Sequence, residues 1–444
     1  MTTLNTNIWP VTAAIAANGH LAIGGCNLVA LAHEHGTPLY LLDEATVRAN
    51  CRAYRAALEC HYPGTFAVHY AAKALLNTAV VQLVAAEGLA LDVVSGGELF
   101  VALRAGFPAK RIHLHGNAKP QAELEQALAA RIGNIVVDTL DELALLARLT
   151  ASQRVPQSIL LRLAPGVAAD THAHIETGRA DSKFGLPLDA LDAAAAIVRR
   201  APGLRLRGLH CHLGSQLFDP APYPCAIAVL LDSAARLRDQ HDLPIDEISP
   251  GGGLGVPYTA DQVAPDVDAF AATISRALVA GCVARALPLP ALVIEPGRSI
   301  VARAGVALYT VLARKSLHND GNMDSSGYVH IDGGMADNMR PALYGAHYTA
   351  LLANRAGEHA TESVHVAGRY CESGDVLLRD ALLPAAVPGD LVAVAAAGAY
   401  TLSMASNYNL VPRPALLLVA DGHARVIQRR ETYEDLVRRD FFIE

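Results

Sequence analysis

Eight short apolar segments, each followed by a helix-like stretch, recur between residues 66 and 300. They begin at Phe66, Leu89, Ile112, Asn134, Ser158, Leu206, Glu247 and Ala291. The first five starts lie 22 to 24 residues apart, close to the minimum length of one strand–helix unit, and the later intervals leave room for loops. Alternation of this kind predicts an α/β fold, a parallel (β/α)₈ TIM barrel.

The pattern changes after about residue 303. Strand-like segments then follow one another without long helices, at 306–314, 328–333, 363–368, 390–396 and 415–420, with a short helix near 433–441. We therefore expect a barrel over residues 40–303 and a β-rich domain, sandwich- or barrel-like, that completes the active site. Residues 1–39 contain no strand–helix unit and are assigned to the β-rich domain, although they could pack with either one.

Composition excludes several other classes of protein. With 52% hydrophobic residues, the chain is too apolar to be disordered. With 36 basic against 43 acidic residues, its net charge does not favour binding to nucleic acid. The seven cysteines are scattered without a CxxC motif, which favours a reducing compartment. No run of about 18 apolar residues and no signal peptide is visible, so we expect a cytoplasmic protein without a membrane span.

Chemically distinctive residues follow the predicted strands, and in such barrels functional groups occupy the C-terminal strand ends. Lys73 ends the first strand, where partial desolvation would lower the pKa of its amine and make it a nucleophile toward aldehydes. A solvated lysine at a helix start is the alternative. Gly251-Gly252-Gly253, with Ser215, could bind a phosphate through backbone N–H groups, or could form a plain turn.

Three further positions have both a functional and a structural interpretation. Glu295 could face a heterocyclic nitrogen while Arg298 binds a substrate carboxylate, or the two could form an internal salt bridge. His212 could stack on a flat cofactor or fill the core. Cys371, beside acidic residues, could donate a proton or be a small buried hydrophobe. His210 and His212 could suggest a metal site, but no carboxylate cluster completes a ligand set.

Ten segments, in order, resemble the fold-type III pyridoxal-phosphate-dependent decarboxylases, and most closely the members that act on diaminopimelate. They are HYAAKALLN, LDVVSGGEL, HGNAKP, DSKFGL, GLHCHLGSQ, GGGLGVPY, EPGRSIV, DGGMADNMRPALYG, CESGD and GAYTLSMASNYN. Two departures are Ala118 and Pro120 in HGNAKP, where the family more often has Asn and Ser, and the residues after Ala346. Neither departure falls on a matched catalytic position.

The resemblance implies the following roles. Lys73 holds the cofactor, pyridoxal 5'-phosphate, as a Schiff base, His212 stacks on its ring and Glu295 faces its pyridine nitrogen. Contacts to the cofactor phosphate and its surroundings are implied for Ser215, Gly253, Gly297, Arg298 and Tyr400. Substrate contacts are implied for Arg298, Arg340, Tyr344, Glu372 and Tyr400. Cys371 is implied as the proton donor, and no metal is implied.

The implied activity is decarboxylation of meso-2,6-diaminopimelate to L-lysine, by a homodimer in which Cys371 and Glu372 enter the site of the second subunit. An acid at position 295 favours decarboxylation over racemisation, which an arginine there would suit better. Three alternatives stay open: a decarboxylase of ornithine, arginine or another diamino acid, a non-catalytic cofactor-binding relative, and a metal-dependent barrel hydrolase.

Overall fold

The computed structural model describes residues 4–167, 183–316 and 327–443. Two compact units are present. The barrel unit comprises 50–255 and 265–297, and the β-rich unit comprises 1–49, 256–264 and 298–444. The predicted boundaries differ from these units at 40–49, 256–264 and 298–303, all of which lie in the β-rich unit. Asp181 and Ser182 of the DSKFGL segment lie outside the described residues.

The N-terminal residues contribute strands that the sequence pattern did not reveal. The elements are β1 (Ala14–Ile15), β2 (Leu21–Ile23), β3 (Cys26–Asn27), α1 (Leu28–His35), β4 (Leu39–Asp43) and α2 (Glu44–His61). Strands β1 to β3 form a small antiparallel sheet of their own. Strand β4 pairs with two strands of the large sheet in the β-rich unit, which accounts for the difference from the predicted boundary at residue 40.

The next elements alternate as predicted. They are β5 (Phe66–Ala71), α3 (Thr78–Ala86), β6 (Ala90–Val93), α4 (Gly96–Arg104), β7 (Ile112–Leu114), α5 (Gln121–Ala130), β8 (Asn134–Val137), α6 (Leu140–Leu149), β9 (Gln157–Arg162), α7 (Leu191–Arg200), β10 (Leu204–His210), α8 (Tyr223–His241), β11 (Glu247–Gly251), α9 (Val267–Ala284) and β12 (Ala291–Ile294). The eight strands close into a parallel barrel, with β9 paired to β10 and β12 paired to β5, which confirms the predicted fold class.

Local sequence explains where several barrel helices begin. Asn77, Ser95 and Thr139 each accept a backbone N–H bond at the start of α3, α4 and α6. Such side chains satisfy N–H groups that have no partner within the helix.

Helix α9 is long and apolar enough by composition to cross a membrane, and no other helix of the described residues is. It carries Asp268, which pairs with His61 at 2.9 Å, and buries Phe270 and Ile274 in the barrel unit.

The remaining elements belong to the β-rich unit. They are α10 (Arg298–Val301), β13 (Gly305–Lys315), β14 (Gly327–Ile331), α11 (Arg340–Tyr344), β15 (Ala350–Leu352), β16 (Glu362–Ala367), β17 (Val376–Leu383), β18 (Leu391–Val394), β19 (Ala415–Ala420), β20 (His423–Gln428) and α12 (Tyr433–Val437). Nine strands form one mixed sheet, ordered β17-β16-β14-β13-β4-β19-β20, with β18 and β15 branching from β13. The β-rich second unit is confirmed, and β15, β17 and β20 are additional strands.

A carboxyl group is buried beside this sheet. Tyr40 on β4 and Tyr309 on β13 donate hydrogen bonds to Asp337 Oδ1 at 3.2 and 2.7 Å. Asp337 is 3% exposed. Burial raises the pKa of Asp337 to about 7, although the two tyrosines and the Gly334 N–H act in the opposite direction. The side chain therefore keeps its proton in the folded protein at pH values where an unfolded aspartate has lost it.

We expect the thermal unfolding midpoint of Asp337→Asn to rise relative to that of wild type as the pH increases from about 5 to about 8. Over this window the folded wild-type protein must give up a proton that its unfolded chain has already released, so its stability falls with pH. The loss over this window is about 3 kcal/mol, since about two units separate pH 5 from the folded pKa of about 7 and one unit corresponds to about 1.4 kcal/mol. Differential scanning calorimetry at several pH values measures it. Asp380→Asn, at an exposed aspartate, is the control, and equal pH dependence in all three proteins would refute the assignment.

Candidate active site

Lys73 lies where the sequence predicted, directly after the first barrel strand. It occupies a single 3₁₀ turn, Ala72–Ala74, that begins as β5 ends. Its side chain is exposed, so the predicted desolvation of the amine is wrong for this structure. The chain turns here into the barrel mouth, and the flanking alanines Ala72 and Ala74 are buried. The Lys73 side chain is therefore accessible, on a turn whose neighbouring alanines are packed into the core.

The glycine segment at the end of β11 is packed too closely for side chains. A Cβ on Gly252 would lie 1.9 Å from the Glu295 carbonyl oxygen, and one on Gly253 would lie 2.3 Å from the Gly214 carbonyl oxygen. Gly253 also has φ +114°, a conformation that favours glycine. Gly297 is similar, because its Cβ would lie 3.0 Å from Ala71. Ser215 follows Gly214, whose carbonyl oxygen lies against Gly253.

His212 contacts the same glycine segment through one ring nitrogen. The Gly252 N–H donates to Nδ1 at 3.4 Å. Burial, followed by the positive charge of Lys73, holds the pKa of His212 well below its usual range. The ring is therefore neutral near pH 7. A neutral, flat imidazole at a strand end is suited to stacking on an aromatic ligand.

Glu295 follows β12 and is held by donors on two neighbouring strands. The Ser249 hydroxyl donates to Oε1 at 2.6 Å, and His210 Nε2 lies 3.1 Å from Oε2. Its side chain is 9% exposed. Burial raises the pKa of Glu295, but the rings of His210 and His115 and the two hydrogen bonds outweigh burial and bring it well below its ordinary value. The carboxylate is therefore an anion, available to a group with an N–H to donate.

The surroundings of Glu295 correct one expectation and add residues that sequence reasoning missed. A carboxylate does accompany His210, because the donor atoms of His115, His210 and Glu295 lie within 4.8 Å of one another. His115 Nε2 also lies 3.3 Å from Asp92 Oδ1, which bonds His69 Nδ1 at 2.8 Å. The only sequence signal was an excess of histidines on neighbouring barrel strands.

The β-rich unit holds a second set of predicted residues, grouped around Tyr258. Arg298 donates to the Tyr258 hydroxyl at 2.8 Å, and its guanidinium lies 4.7 Å from the Tyr400 ring centroid. Arg340 lies 4.6 Å from the Tyr258 ring centroid and donates to the Tyr348 hydroxyl. Both arginines are 7% exposed. Guanidinium groups packed on aromatic rings in this way keep their planar faces fixed and can present N–H donors to a carboxylate.

Tyr400 has an unusual backbone conformation, whereas Tyr344 lies in a short helix. Tyr400 has φ +58°, which is rare for a bulky residue. Such a conformation is retained only where the surrounding structure imposes it, and it often marks a functional position. Tyr344 ends the short helix α11 that Arg340 begins, and it is partly buried.

Cys371 and Glu372 lie together on an exposed turn of the β-rich unit. The Cys371 backbone N–H donates to Asn409 Oδ1 at 3.3 Å, and the Tyr408 hydroxyl donates to Glu372 Oε1 at 2.5 Å. Both side chains are exposed, which rules out the buried-hydrophobe interpretation of Cys371 in this structure. The thiol is available to a ligand or to another chain.

The barrel unit therefore carries a lysine after its first strand, a closely packed glycine segment, a neutral histidine and a buried carboxylate. The chain matches the family of the pyridoxal-dependent decarboxylase, pyridoxal binding domain, over residues 44–302. It therefore belongs to the pyridoxal-dependent decarboxylases.

Within that family the chain is similar to proteins named diaminopimelate decarboxylase. It is 44% identical to the one from Synechocystis sp., with 98% of this chain and 93% of that protein covered. Identity is also 44% to the one from Bacillus subtilis, with 95% of each covered. A solved structure of the M. jannaschii enzyme in complex with L-lysine has a TM-score of 0.89 at 34% identity, with 98% of both chains covered. A Vibrio vulnificus lysine/ornithine decarboxylase complexed with putrescine has a TM-score of 0.74 at 26% identity, with 89% of this chain and 97% of that one covered.

The residues present fit the cofactor that the family name implies. Close packing requires glycine at Gly251–Gly253, and backbone without side chains can present N–H groups to a phosphate. The neutral ring of His212 suits stacking, and the anionic Glu295 suits a protonated heterocyclic nitrogen. Lys73 supplies the amine needed for a covalent link to an aldehyde.

Proposed function

We propose that this chain decarboxylates meso-2,6-diaminopimelate to L-lysine and CO₂, the last step of lysine biosynthesis, with pyridoxal 5'-phosphate as cofactor. The observation that carries the substrate is the pair of buried arginines, Arg298 and Arg340, packed on Tyr258. Diaminopimelate has a carboxylate at its distal end, whereas ornithine and arginine do not. Two guanidinium groups packed on the same tyrosine ring can together present N–H donors to such a carboxylate.

Pyridoxal phosphate, when bound, supplies an electron sink for the charge left when CO₂ departs. In this proposal Lys73 would hold the cofactor covalently. Gly251–Gly253, Ser215 and Gly297 would bind its phosphate, His212 would stack on its ring and Tyr400 would contact it. The anionic carboxylate of Glu295 would face the pyridine nitrogen and favour its protonated form, which suits decarboxylation.

Substrate orientation decides which bond breaks. We infer that Arg298 and Arg340 hold the distal carboxylate, with Tyr344 and Tyr400 beside them, and that Glu372 accepts from the distal ammonium. Fixing the far end of the substrate directs its reacting carboxylate to the position from which it is lost. The carbon that loses CO₂ then takes one proton from the thiol of Cys371.

We further propose a homodimer in which Cys371 and Glu372 complete the site of the other subunit. The exposure of both residues on one turn supports this, since groups that act only within their own chain have less reason to remain accessible. All seven cysteines are free thiols, which supports a reducing, cytoplasmic location.

The direct test is formation of L-lysine from meso-diaminopimelate, with ornithine and arginine run in parallel, with and without added pyridoxal phosphate. We expect lysine only from diaminopimelate and only with the cofactor bound. Release of putrescine from ornithine at a comparable rate would move the substrate to the alternative diamino acids. No product from any of them, in protein whose absorbance shows bound cofactor, would favour the non-catalytic relative.

A further inference from the structure

The barrel interior contains a cluster of buried titratable side chains where most barrels are filled by aliphatic layers. We call it the histidine–carboxylate cluster, and its members are His69, Asp92, His113, His115, His210 and Glu295. They lie on β5, β6, β7 and β10, directly after β7 and at the end of β12. Their contacts run continuously from His69 through Asp92 and His115 to Glu295 and His210.

The cluster brings two carboxylates into one water-poor space. Asp92 and Glu295 are 5% and 9% exposed at their side chains. Asp92 Oδ1 bonds His69, but Asp92 Oδ2 is buried and forms no hydrogen bond within the described residues. Two neighbouring buried anions raise each other's affinity for protons, so one of them becomes neutral unless a cation compensates them.

His115 is placed to compensate both carboxylates. Its Nε2 lies 3.3 Å from Asp92 Oδ1 and 3.9 Å from Glu295 Oε1. In the described part of the chain, it is the one side chain within ion-pair distance of both. His210 reaches only Glu295, and His69 reaches only Asp92. The His115 side chain is 9% exposed, so bulk water does little to screen these interactions.

Other groups act on Glu295 from the neighbouring strands, and their charges are mixed. They are His69 on β5, Asp92 on β6, His113 on β7 and His115 directly after it, Arg162 on β9, His210 with Cys211 and His212 at β10, and Glu247 and Ser249 on β11. The anions Asp92 and Glu247 oppose ionisation of Glu295. Arg162 favours it but has its own partner, Asp138, at 3.8 Å.

We propose that His115 is a positioning residue whose ring bridges Asp92 and Glu295 and stabilises the ionised form of Glu295 toward the cofactor. This inference rests on the proposed function, in which Glu295 faces the pyridine nitrogen. His115 itself touches neither cofactor nor substrate in this scheme. Its effect is transmitted through the charge of Glu295, and the cofactor nitrogen would lose its partner if that carboxylate became neutral.

The test compares His115→Gln with His113→Gln, both in the holoenzyme. Glutamine keeps a hydrogen-bonding side chain but cannot carry a charge, and His113 is a matched control because it lies on β7, just before His115, and faces Asn134 at 2.7 Å. The first readout is an infrared pH titration of the Glu295 carboxyl, assigned by difference from Glu295→Gln. The second is the pH dependence of kcat and KM.

With His115→Gln, we expect the proton affinity of the Glu295 carboxyl to rise at least about tenfold, one pKa unit. The acidic limb of kcat should move upward by a similar amount, while KM changes less than about threefold, because substrate-contacting residues are untouched. His115→Lys, which keeps a positive charge, should restore the wild-type titration. His113→Gln should leave the carboxyl titration where it is in wild type, because burial holds the pKa of His113 well below its usual range and the neutral ring has no charge to lose.

An unchanged carboxyl titration in His115→Gln would overturn the proposal. If that variant does not fold, His115→Asn carries the same expectation. The infrared titration needs no substrate, so a wrong substrate assignment leaves it intact, whereas absence of bound cofactor in wild type would count against the proposed function instead.

Discussion

Protein carrying Lys73→Ala is expected to lose the visible absorbance of covalently bound cofactor and to lose activity by on the order of a thousandfold or more. Lys73 is the only residue at the barrel mouth proposed to form the covalent link, and its exposed side chain on the 3₁₀ turn after β5 leaves nothing to repack when it is shortened. Folding should therefore be preserved, and the variant should still bind the cofactor non-covalently.

The measurement is an absorbance spectrum of the purified protein together with the lysine-forming rate. Lys110→Ala is a matched control, because Lys110 is also exposed and in the barrel unit but precedes β7, away from the C-terminal strand ends. We expect the control to keep both spectrum and rate. A Lys73→Ala protein with wild-type turnover would eliminate the proposed covalent role.

Cys371→Ala should give the second large effect, with the cofactor spectrum retained and turnover reduced by roughly a hundredfold to ten-thousandfold, the range typical of a general acid. The thiol is proposed to deliver the proton that replaces CO₂, and alanine has none to deliver. Because Cys371 lies on an exposed turn, the fold should be unaffected. Cys225→Ala, at an exposed cysteine on α8, should behave as wild type.

Mixing the two inactive proteins tests whether subunits share their sites. After random exchange, half of the dimers are hybrids, and each hybrid of Lys73→Ala with Cys371→Ala has one intact site if Cys371 crosses between subunits. Activity should then return to about a quarter of the wild-type level. Mass spectrometry first demonstrates that the subunits have exchanged. If activity then fails to recover, Cys371 belongs to the site of its own chain.

The barrel was predictable from sequence because its signal is local and repeated. Each strand is a short apolar run, and each is followed by a helix with its own cap, such as Ser95 or Thr139. Strands β17 and β20 were missed for physical reasons. Strand β17 carries Arg379 and Asp380 at exposed positions in its middle, and β20 is an edge strand with hardly any burial, so neither has an apolar run to detect.

The candidate site was predictable only where a residue type is itself distinctive. Lys73, the glycines and Cys371 stand out in the sequence, whereas the bridge from Asp92 through His115 to Glu295 depends on the alignment of strands far apart in the chain. Pairing places Asp92 beside His113 on β7, and His115 follows two residues later. The exposure of Lys73 could not be inferred either, because it depends on how the turn after β5 directs the side chain.

Strand β4 has a consequence for how the protein is made. It lies between β13 and β19 in the middle of the large sheet, yet more than 250 residues separate it from either partner. During synthesis its neighbours emerge from the ribosome only after the whole barrel has been translated. Strand β4 therefore stays unpaired until its partner strands have been synthesised. A fragment that starts at residue 304 would lack β4, the central strand of the large sheet. Attempts to express the β-rich unit alone should therefore retain residues 1–49 by fusion or circular permutation.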